Sequence, residues 1–146
     1  MIVSEGFTWT AHVARHKTVT RRDWKPQTAA RFVRGFRFEI WDKGPHRGGR
    51  RIGDAVMEHD AFLEPLARMR DEDYEEEGFA WMNRHPAAIP AGARKFTWAQ
   101  DDCSFDSFRR WRREGGELYV VRYRVLTLEP EALRRLEAIL EGRAAA

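Results

Sequence analysis

The amino-acid sequence predicts an α+β fold, in which helices flank a small, mainly antiparallel β-barrel with some mixed pairing. Alternating apolar and polar residues indicate strands, and apolar residues spaced three or four apart indicate helices, but the two do not alternate as regular β-α-β units. The chain has 146 residues, 42% hydrophobic and 34% charged, which is typical of one globular domain. We therefore expect a single domain over residues 1–146.

The first half of the chain is expected to combine short helices with two strands. Pro26 suits the first turn of a helix and Gly35 can end it. Phe36, Phe38 and Ile40 alternate with polar residues, which indicates a strand with one buried face. The expected elements are a helix over 8–16, an extended segment over 17–24, a helix over 26–34 and strands over 36–42 and 51–63.

The second half is expected to hold the strongest strand and three helices. Acidic residues at 71–73 complement the start of a helix dipole, and glycines at 115–116 can stop a helix. Alternation from Tyr119 to Val125 gives the clearest strand. The expected elements are a helix over 70–84, a loop over 85–93, a helix over 104–114, a strand over 118–128 and an added C-terminal helix over about 130–142. The last helix is expected to bury four residues: Leu133, Leu136, Ile139 and Leu140.

Several classes of protein are excluded by what the sequence lacks. No apolar run approaches the ~20 residues of a membrane span, and no secretory signal is visible, so a cytoplasmic protein is expected. Cys103 is the only cysteine, which excludes an internal disulfide and a cysteine-based zinc site. His12 and His16 have a spacing that can bind metal, but no acidic or cysteine partner lies nearby. No metal and no cofactor are expected.

The charge is unevenly distributed along the chain. The formal net charge is +3, but residues 1–51 carry twelve Lys or Arg and four Asp or Glu, whereas residues 54–77 carry two and ten. Arginine outnumbers lysine by 22 to 4, and its planar fork suits phosphate and base contacts. This pattern favours a polyanionic partner steered to one face, and internal ion pairing explains it equally well.

The segment from Lys17 to Trp24 concentrates groups that could bind a nucleotide. It holds an ammonium, two hydroxyls, two guanidiniums and an indole within eight residues, and alternate residues of an extended segment share a face. A surface strand that pairs with acids elsewhere is the alternative interpretation. The candidate substrate- or nucleic-acid-binding residues are Arg21, Arg22, Trp24, Trp41, Arg122 and Arg124.

Three successive glutamates at 75–77 form the acidic counterpart of this segment. Neighbouring residues of a helix point in different directions, so at most one or two of them can face a given site. A run of acidic residues such as this one commonly indicates a helix face exposed to solvent. A glutamate held near Lys17 would form a proton-transfer pair.

These segments resemble a known family. Residues 17–22, Lys-Thr-Val-Thr-Arg-Arg, resemble the signature of the ASCH domain, and Glu-Gly-Phe at 77–79 is similar to its second motif. The expected helix at 105–111 and strand at 119–125 look like the closing elements of that family. The resemblance covers roughly residues 7–127. It implies a PUA-like barrel with a cleft suited to nucleic acid, RNA rather than DNA, or to a modified nucleoside.

One branch of the family hydrolyses the amide of N4-acetylcytidine, and the resemblance implies catalytic roles for three residues here. Lys17 matches the proton acceptor, Thr20 the nucleophile and Glu77 the proton donor, while Arg22 and Asp23 match the end of the branch's first motif. A protein that recognises nucleic acid or a modified pyrimidine nucleoside, and hydrolyses N4-acylated cytidine, is therefore expected. A non-catalytic RNA-binding module is the alternative, and a protein-interaction domain without nucleotide chemistry is the third interpretation.

The chain departs from that branch in three places. It has Arg15 and His16 where the branch has Gly-Arg before its lysine, and it is longer, with an expected loop over 85–101 and the added C-terminal helix. These departures bear on the identity of the substrate and leave the Lys, Thr and Glu positions unchanged.

Overall fold

The chain forms a curled, six-stranded mixed sheet with helices packed around it. A computed structural model describes residues 1–91 and 102–143. The strands are β1 (Ile2–Ser4), β2 (Val19–Arg22), β3 (Arg37–Trp41), β4 (Arg51–Met57), β5 (Phe62–Pro65) and β6 (Glu117–Leu128). The helices of the described part are α1 (Trp9–Val13), α2 (Pro26–Ala29), α3 (Asp73–Glu76), α4 (Phe79–Arg84), α5 (Phe105–Arg113) and α6 (Pro130–Leu140). This mixed α/β architecture, with a half-barrel sheet, agrees with the predicted fold class at that level.

The strand order leaves an open seam in the half-barrel. The sheet runs β1-β3-β4-β6-β2, with β5 paired to the first part of β6. The pairing of β1 with β3 is parallel, and every other pair is antiparallel. The curl brings the two ends of this path together, since the Arg22 guanidinium on β2 donates to the backbone carbonyl of Ser4 on β1. The sheet is therefore bridged by side chains where β1 and β2 face each other.

The interior of the half-barrel is filled by aromatic and aliphatic side chains. Phe38 and Tyr123 meet edge to face at 5.9 Å between ring centroids, and Phe32 packs on Phe38 in the same manner. A second aromatic group, Phe79 and Trp111, joins α4 to α5. No helix among residues 1–91 and 102–143 is long and apolar enough to cross a membrane.

The predicted helix over 26–34 is wrong in its length. α2 ends at Ala29, and the amides of Arg31 and Phe32 bond three residues back, Phe32 to Ala29 at 3.0 Å. After this tighter turn the Phe32 side chain lies in the core, 1% exposed. Tertiary burial of one aromatic residue therefore overrides the local helical pattern.

Two other predicted elements are each divided in the structure. The strand expected over 51–63 separates into β4 and β5, which pair with different parts of β6. The helix expected over 70–84 separates into α3 and α4, because Gly78 adopts a left-handed conformation with φ +93°. The loop expected over 85–93 contains a 3-10 turn at Pro86–Ala88, and its last two residues lie outside the described residues.

The C-terminal helix buries a different face from the predicted one. Leu136 is buried and Ile139 is half-buried, but Leu133 and Leu140 are 41% and 46% exposed. Ala132 is buried in their place. The buried face of α6 therefore runs through Ala132, Leu136 and Ile139. The spacing of the leucines did not predict this face, because alanine is only weakly hydrophobic.

Gly78 fixes the junction of α3 and α4, and its replacement by alanine is expected to destabilise the fold. A Cβ atom at this position would lie 2.6 Å from the Cβ of Ala11, in addition to the strain of the positive φ. Gly35→Ala is the matched control, because Gly35 has a similar φ of +86° and no atom within 4 Å of its Cβ position. We expect Gly78→Ala to lose about 1–3 kcal/mol more unfolding free energy than Gly35→Ala in urea titrations. Equal losses would show that the contact with Ala11 does not constrain the junction.

Candidate active site

A cavity of about 310 Å³ opens at the seam between β1 and β2. Its polar lining comes from β2 with its flanking residues and from the turn between α3 and α4, and it includes Lys17, Thr20, Arg21, Arg22 and Glu77. Its apolar lining includes Phe7, Phe79, Trp111 and Leu118. The structure therefore brings Lys17, Thr20 and Glu77, the three residues with expected catalytic roles, together around one cavity.

Lys17 is buried, and its amine is held by three acceptors. Nζ donates to the backbone carbonyl of Val19 at 2.7 Å, to the backbone carbonyl of Glu77 at 3.1 Å and to Oε2 of Glu77 at 3.3 Å. The backbone is tied at the same place, because the Thr18 amide donates to the carbonyl of Glu76 at 2.8 Å. These bonds join β2 to the end of α3 and put Lys17 and Glu77 within proton-transfer distance.

The three glutamates at 75–77 face different surroundings. Glu77 is 3% exposed and lines the cavity. Glu75 is exposed and lies near His16 and Arg84. Glu76 pairs with arginines outside the cavity. Only Glu77 of the three reaches Lys17, which is the arrangement that an acid–base pair at this site requires.

Arg21 lies at the centre of a buried ion-pair cluster beside the cavity. Its guanidinium donates to Glu77 Oε1 at 2.8 Å, to Glu64 Oε1 at 3.0 Å and to Asp73. Burial alone would lower the pKa of Arg21, but the carboxylates of Glu77 and Asp73 outweigh it and raise the pKa above its ordinary value. Arg21 therefore holds Glu77 in place, and its two terminal nitrogens are committed to carboxylates.

Asp73 links Arg21 to the neighbouring strand. Arg122 on β6 donates to Asp73 Oδ1 at 3.0 Å. Burial alone would raise the pKa of Asp73, but hydrogen bonds and charge from Arg21 and Arg122 lower it to about 2. The expected binding residues Arg21 and Arg122 thus meet on one face of the sheet, where both are neutralised by the same carboxylate.

Acid unfolding should depend on Asp73. Its pKa falls from 3.8 to about 2 on folding, so the unfolded chain binds the proton first and stability is lost as the pH falls through this range. Asp73→Asn should reduce the loss of unfolding free energy between neutral pH and pH 2 by an amount on the order of 2–3 kcal/mol, as measured by urea titration. Asp71→Asn is the control, since the Asp71 side chain is 68% exposed. If unfolding free energy falls with pH in Asp73→Asn as it does in the wild type, Asp73 does not have a lowered pKa in the folded protein.

The Thr20 side chain is 5% exposed and lies on the cavity wall. Among the described residues its hydroxyl has no hydrogen-bond partner. Backbone pairing with Val121 of β6 fixes its position on β2. A hydroxyl held rigidly at a cavity wall and left without an internal partner is available to a ligand.

A second buried polar network, which the sequence did not predict, lies behind the cavity. The Tyr123 hydroxyl donates to Glu5 Oε1 at 2.5 Å, and His12 Nδ1 lies 3.0 Å from both the Tyr123 oxygen and Glu5 Oε2. Burial alone would raise the pKa of Glu5, but His12, Lys17 and Tyr123 lower it to about 2. Glu5 is also part of the cavity lining, so an anionic side chain stands on the β1 side of the seam.

The two histidines considered as metal ligands are separated in the structure. His12 is buried in this network, whereas His16 is exposed beside Glu75 and stacks on Trp81. Within residues 1–91 and 102–143, no group of three or more His, Cys, Asp or Glu side chains is placed to hold a metal ion.

The remaining expected binding residues do not line this cavity. Trp24 is half-buried and stacks on Phe32 at 4.3 Å, and Trp41 donates its indole N–H to Glu39 at 3.2 Å. Arg124 is 66% exposed. Together with Arg122 it lines a separate, open cleft of about 420 Å³. Of the six, only Arg21 and Arg22 belong to the cavity at the seam.

No family profile, curated protein or solved structure matches this chain. The resemblance to the ASCH family rests on residues 17–22 and 77–79 and on the elements that follow them. What the site can do chemically follows from the side chains that surround the cavity.

Proposed function

We propose that this protein is a PUA-like, ASCH-type amidohydrolase that binds a modified pyrimidine nucleoside and hydrolyses the amide of N4-acylated cytidine. One observation carries the proposal. Lys17 and Thr20 from one segment, and Glu77 from a segment about 60 residues later, line one cavity, with Lys17 Nζ 3.3 Å from Glu77 Oε2. These are the positions that match the catalytic residues of the N4-acetylcytidine branch.

The shape and lining of the cavity suit such a substrate. A volume of about 310 Å³ lies at the lower end of the range for small-molecule sites. The aromatic side chains of Phe7, Phe79 and Trp111 give an apolar wall for a planar base. The polar groups of Lys17, Thr20 and Glu77 line the same cavity, where an acyl amide attached to the base would meet them.

The proton chemistry can begin from the resting pair of Lys17 and Glu77. A lysine accepts a proton only after it has lost one, and the Glu77 carboxylate is in contact with its amine. Transfer of one proton from Lys17 to Glu77 produces a neutral amine, which is a base, and a carboxylic acid, which is a donor. One proton transfer thus makes Lys17 a base and Glu77 an acid.

Hydrolysis then proceeds in two balanced steps. The Thr20 oxygen attacks the acyl carbon, its proton passes to Lys17, and the C–N bond breaks while Glu77 protonates the leaving nitrogen. Cytidine leaves, and the acyl group remains as an ester on Thr20. After Lys17 returns a proton to Glu77, water attacks the ester, Lys17 takes the water proton, and Glu77 protonates the Thr20 oxygen. A carboxylic acid is released, and both groups return to their starting states.

A non-catalytic RNA-binding role is the second candidate, and the open cleft favours it. Arg15, Arg122 and Arg124 line this cleft, and the side chain of Arg15 has no ion-pair partner among the described residues. A polynucleotide backbone in the cleft would be held by Arg15 and released by salt. Arg122 and Arg124 would join this contact by exchanging their pairs with Glu76 and Glu58, which line the same cleft.

The two candidates are separated by one experiment. Purified protein is incubated with N4-acetylcytidine and related N4-acylated cytidines, and products are resolved by chromatography, while binding of a single-stranded RNA is titrated at increasing salt. Release of cytidine from the free nucleoside supports the amidohydrolase. Steeply salt-dependent RNA binding without release of cytidine supports the binding module instead.

A further inference from the structure

Arg22 and Thr20 project from the same face of β2. They are two residues apart on a strand, so their side chains share a face at a spacing of roughly 6–7 Å. Both line the cavity at the seam. A group bound against the Thr20 hydroxyl therefore lies within reach of the Arg22 guanidinium.

Arg22 is a cation of the cavity lining with an unused hydrogen-bond donor. Its Nη2 donates to the Ser4 carbonyl, which anchors the guanidinium across the seam. Its Nε is buried and has no hydrogen-bond partner among the described residues. Arg21 and Lys17, the other cations in the lining, are engaged with carboxylates and backbone carbonyls.

A buried N–H without an acceptor is unfavourable unless a ligand supplies one. Burial also lowers the pKa of Arg22 below its ordinary value, although Glu5 and Glu77 oppose the shift. A guanidinium stays charged in proteins, and its field is strong where water is excluded. The matching ligand atom is an oxygen that carries, or acquires, negative charge.

We propose that Arg22 binds the oxygen of the scissile carbonyl and stabilises the negative charge that forms on it when Thr20 attacks. This inference rests on the amide hydrolysis proposed above. As the Thr20 oxygen bonds to the acyl carbon, the π electrons of the carbonyl move to its oxygen, and a charged N–H donor of Arg22 receives that oxyanion. When the C–N bond breaks, the electrons return and the carbonyl is restored as the ester of Thr20.

The test compares variants of Arg22 by the kinetics of N4-acetylcytidine hydrolysis. Arg22→Gln should lower kcat by about 10²–10³-fold with little change in KM, which is the loss found when one oxyanion donor is removed. Arg22→Lys keeps the charge but not the fork and should lose less. Free guanidinium added to Arg22→Ala should restore part of kcat. Arg31→Gln, at an exposed position outside the cavity, is the matched control and should behave as wild type.

Each other outcome has a definite meaning. Wild-type protein that releases no cytidine refutes the proposed function and this inference with it. Wild-type activity with kcat unchanged in Arg22→Gln, or with only KM raised, refutes the role of Arg22 alone. A lower kcat that guanidinium does not restore, together with a lower unfolding temperature, assigns Arg22 to holding the seam and also overturns the proposal.

Discussion

Thr20→Ala is expected to lower kcat for N4-acetylcytidine by at least about 10³-fold, because no other group replaces a lost nucleophile. The fold should be retained, since the hydroxyl has no internal partner among the described residues and its removal leaves no orphaned group. Thr20→Ser keeps a hydroxyl and should keep measurable turnover. Thr18→Ala is the control, because Thr18 lies on the same segment but lines the other cleft.

The three residues should also behave as one unit. Lys17→Ala and Glu77→Gln are each expected to remove most turnover, and the triple variant should be scarcely slower than the slowest single variant. Glu75→Gln should be nearly silent, because Glu75 is exposed and outside the cavity. Full activity in Thr20→Ala, or strictly multiplicative losses in the triple variant, would contradict a covalent mechanism shared by these residues.

Arg21→Met is expected to cost about 3–5 kcal/mol of unfolding free energy, the largest stability effect at this site. The substitution keeps much of the side-chain volume but leaves the buried carboxylates of Asp73 and Glu77 without their shared cation. Arg70→Met is the matched control. Arg70 also pairs with Asp73, but its side chain is 53% exposed, so its loss should cost about 1 kcal/mol or less.

Urea titration at neutral pH measures both losses. Adding Asp73→Asn to Arg21→Met should recover part of the stability, because one of the unpaired buried charges is then removed. Equal costs for Arg21→Met and Arg70→Met would show that the cluster is not buried in solution.

Local patterns predicted the strands that carry the site. The alternation in residues 118–128 and the extended character of 17–24 correspond to β6 and β2, which lie side by side in antiparallel pairing. These elements depend on local propensity and on one buried face, so a single sequence reveals them. The length of α2 depends on the burial of Phe32 in the core. The break at Gly78 lies where the chain approaches Ala11. Both are tertiary contacts, which a local sequence pattern does not contain.

The meeting of Lys17 with Glu77 had no local signal, since 60 residues separate them. Only the resemblance to a family joined the two positions. The network of Glu5, His12 and Tyr123 was missed for the same reason, because Glu5 and Tyr123 are 118 residues apart. The only sequence feature that points to this network is Glu5, an isolated acidic residue in a basic N-terminal segment.

Ion pairs in the structure explain part of the uneven charge distribution along the sequence. Part of the acidic segment at 54–77 pairs with basic strands, as Asp73 does with Arg21 and Arg122. The internal-pairing interpretation thus accounts for these residues. Arg124, whose side chain is 66% exposed, also pairs with an acid of this segment, since its Nε lies 3.6 Å from Glu58 Oε1.

The most direct test of the central claim is a crystal structure of Thr20→Ala with N4-acetylcytidine bound. We expect the base to lie against Phe7, Phe79 and Trp111, with the acyl carbon within about 3.5 Å of the position of the Thr20 hydroxyl in the wild-type protein. The carbonyl oxygen should point to the Arg22 guanidinium. A nucleoside bound in the open cleft, or bound at the seam with its acyl group turned away from position 20, would contradict the account.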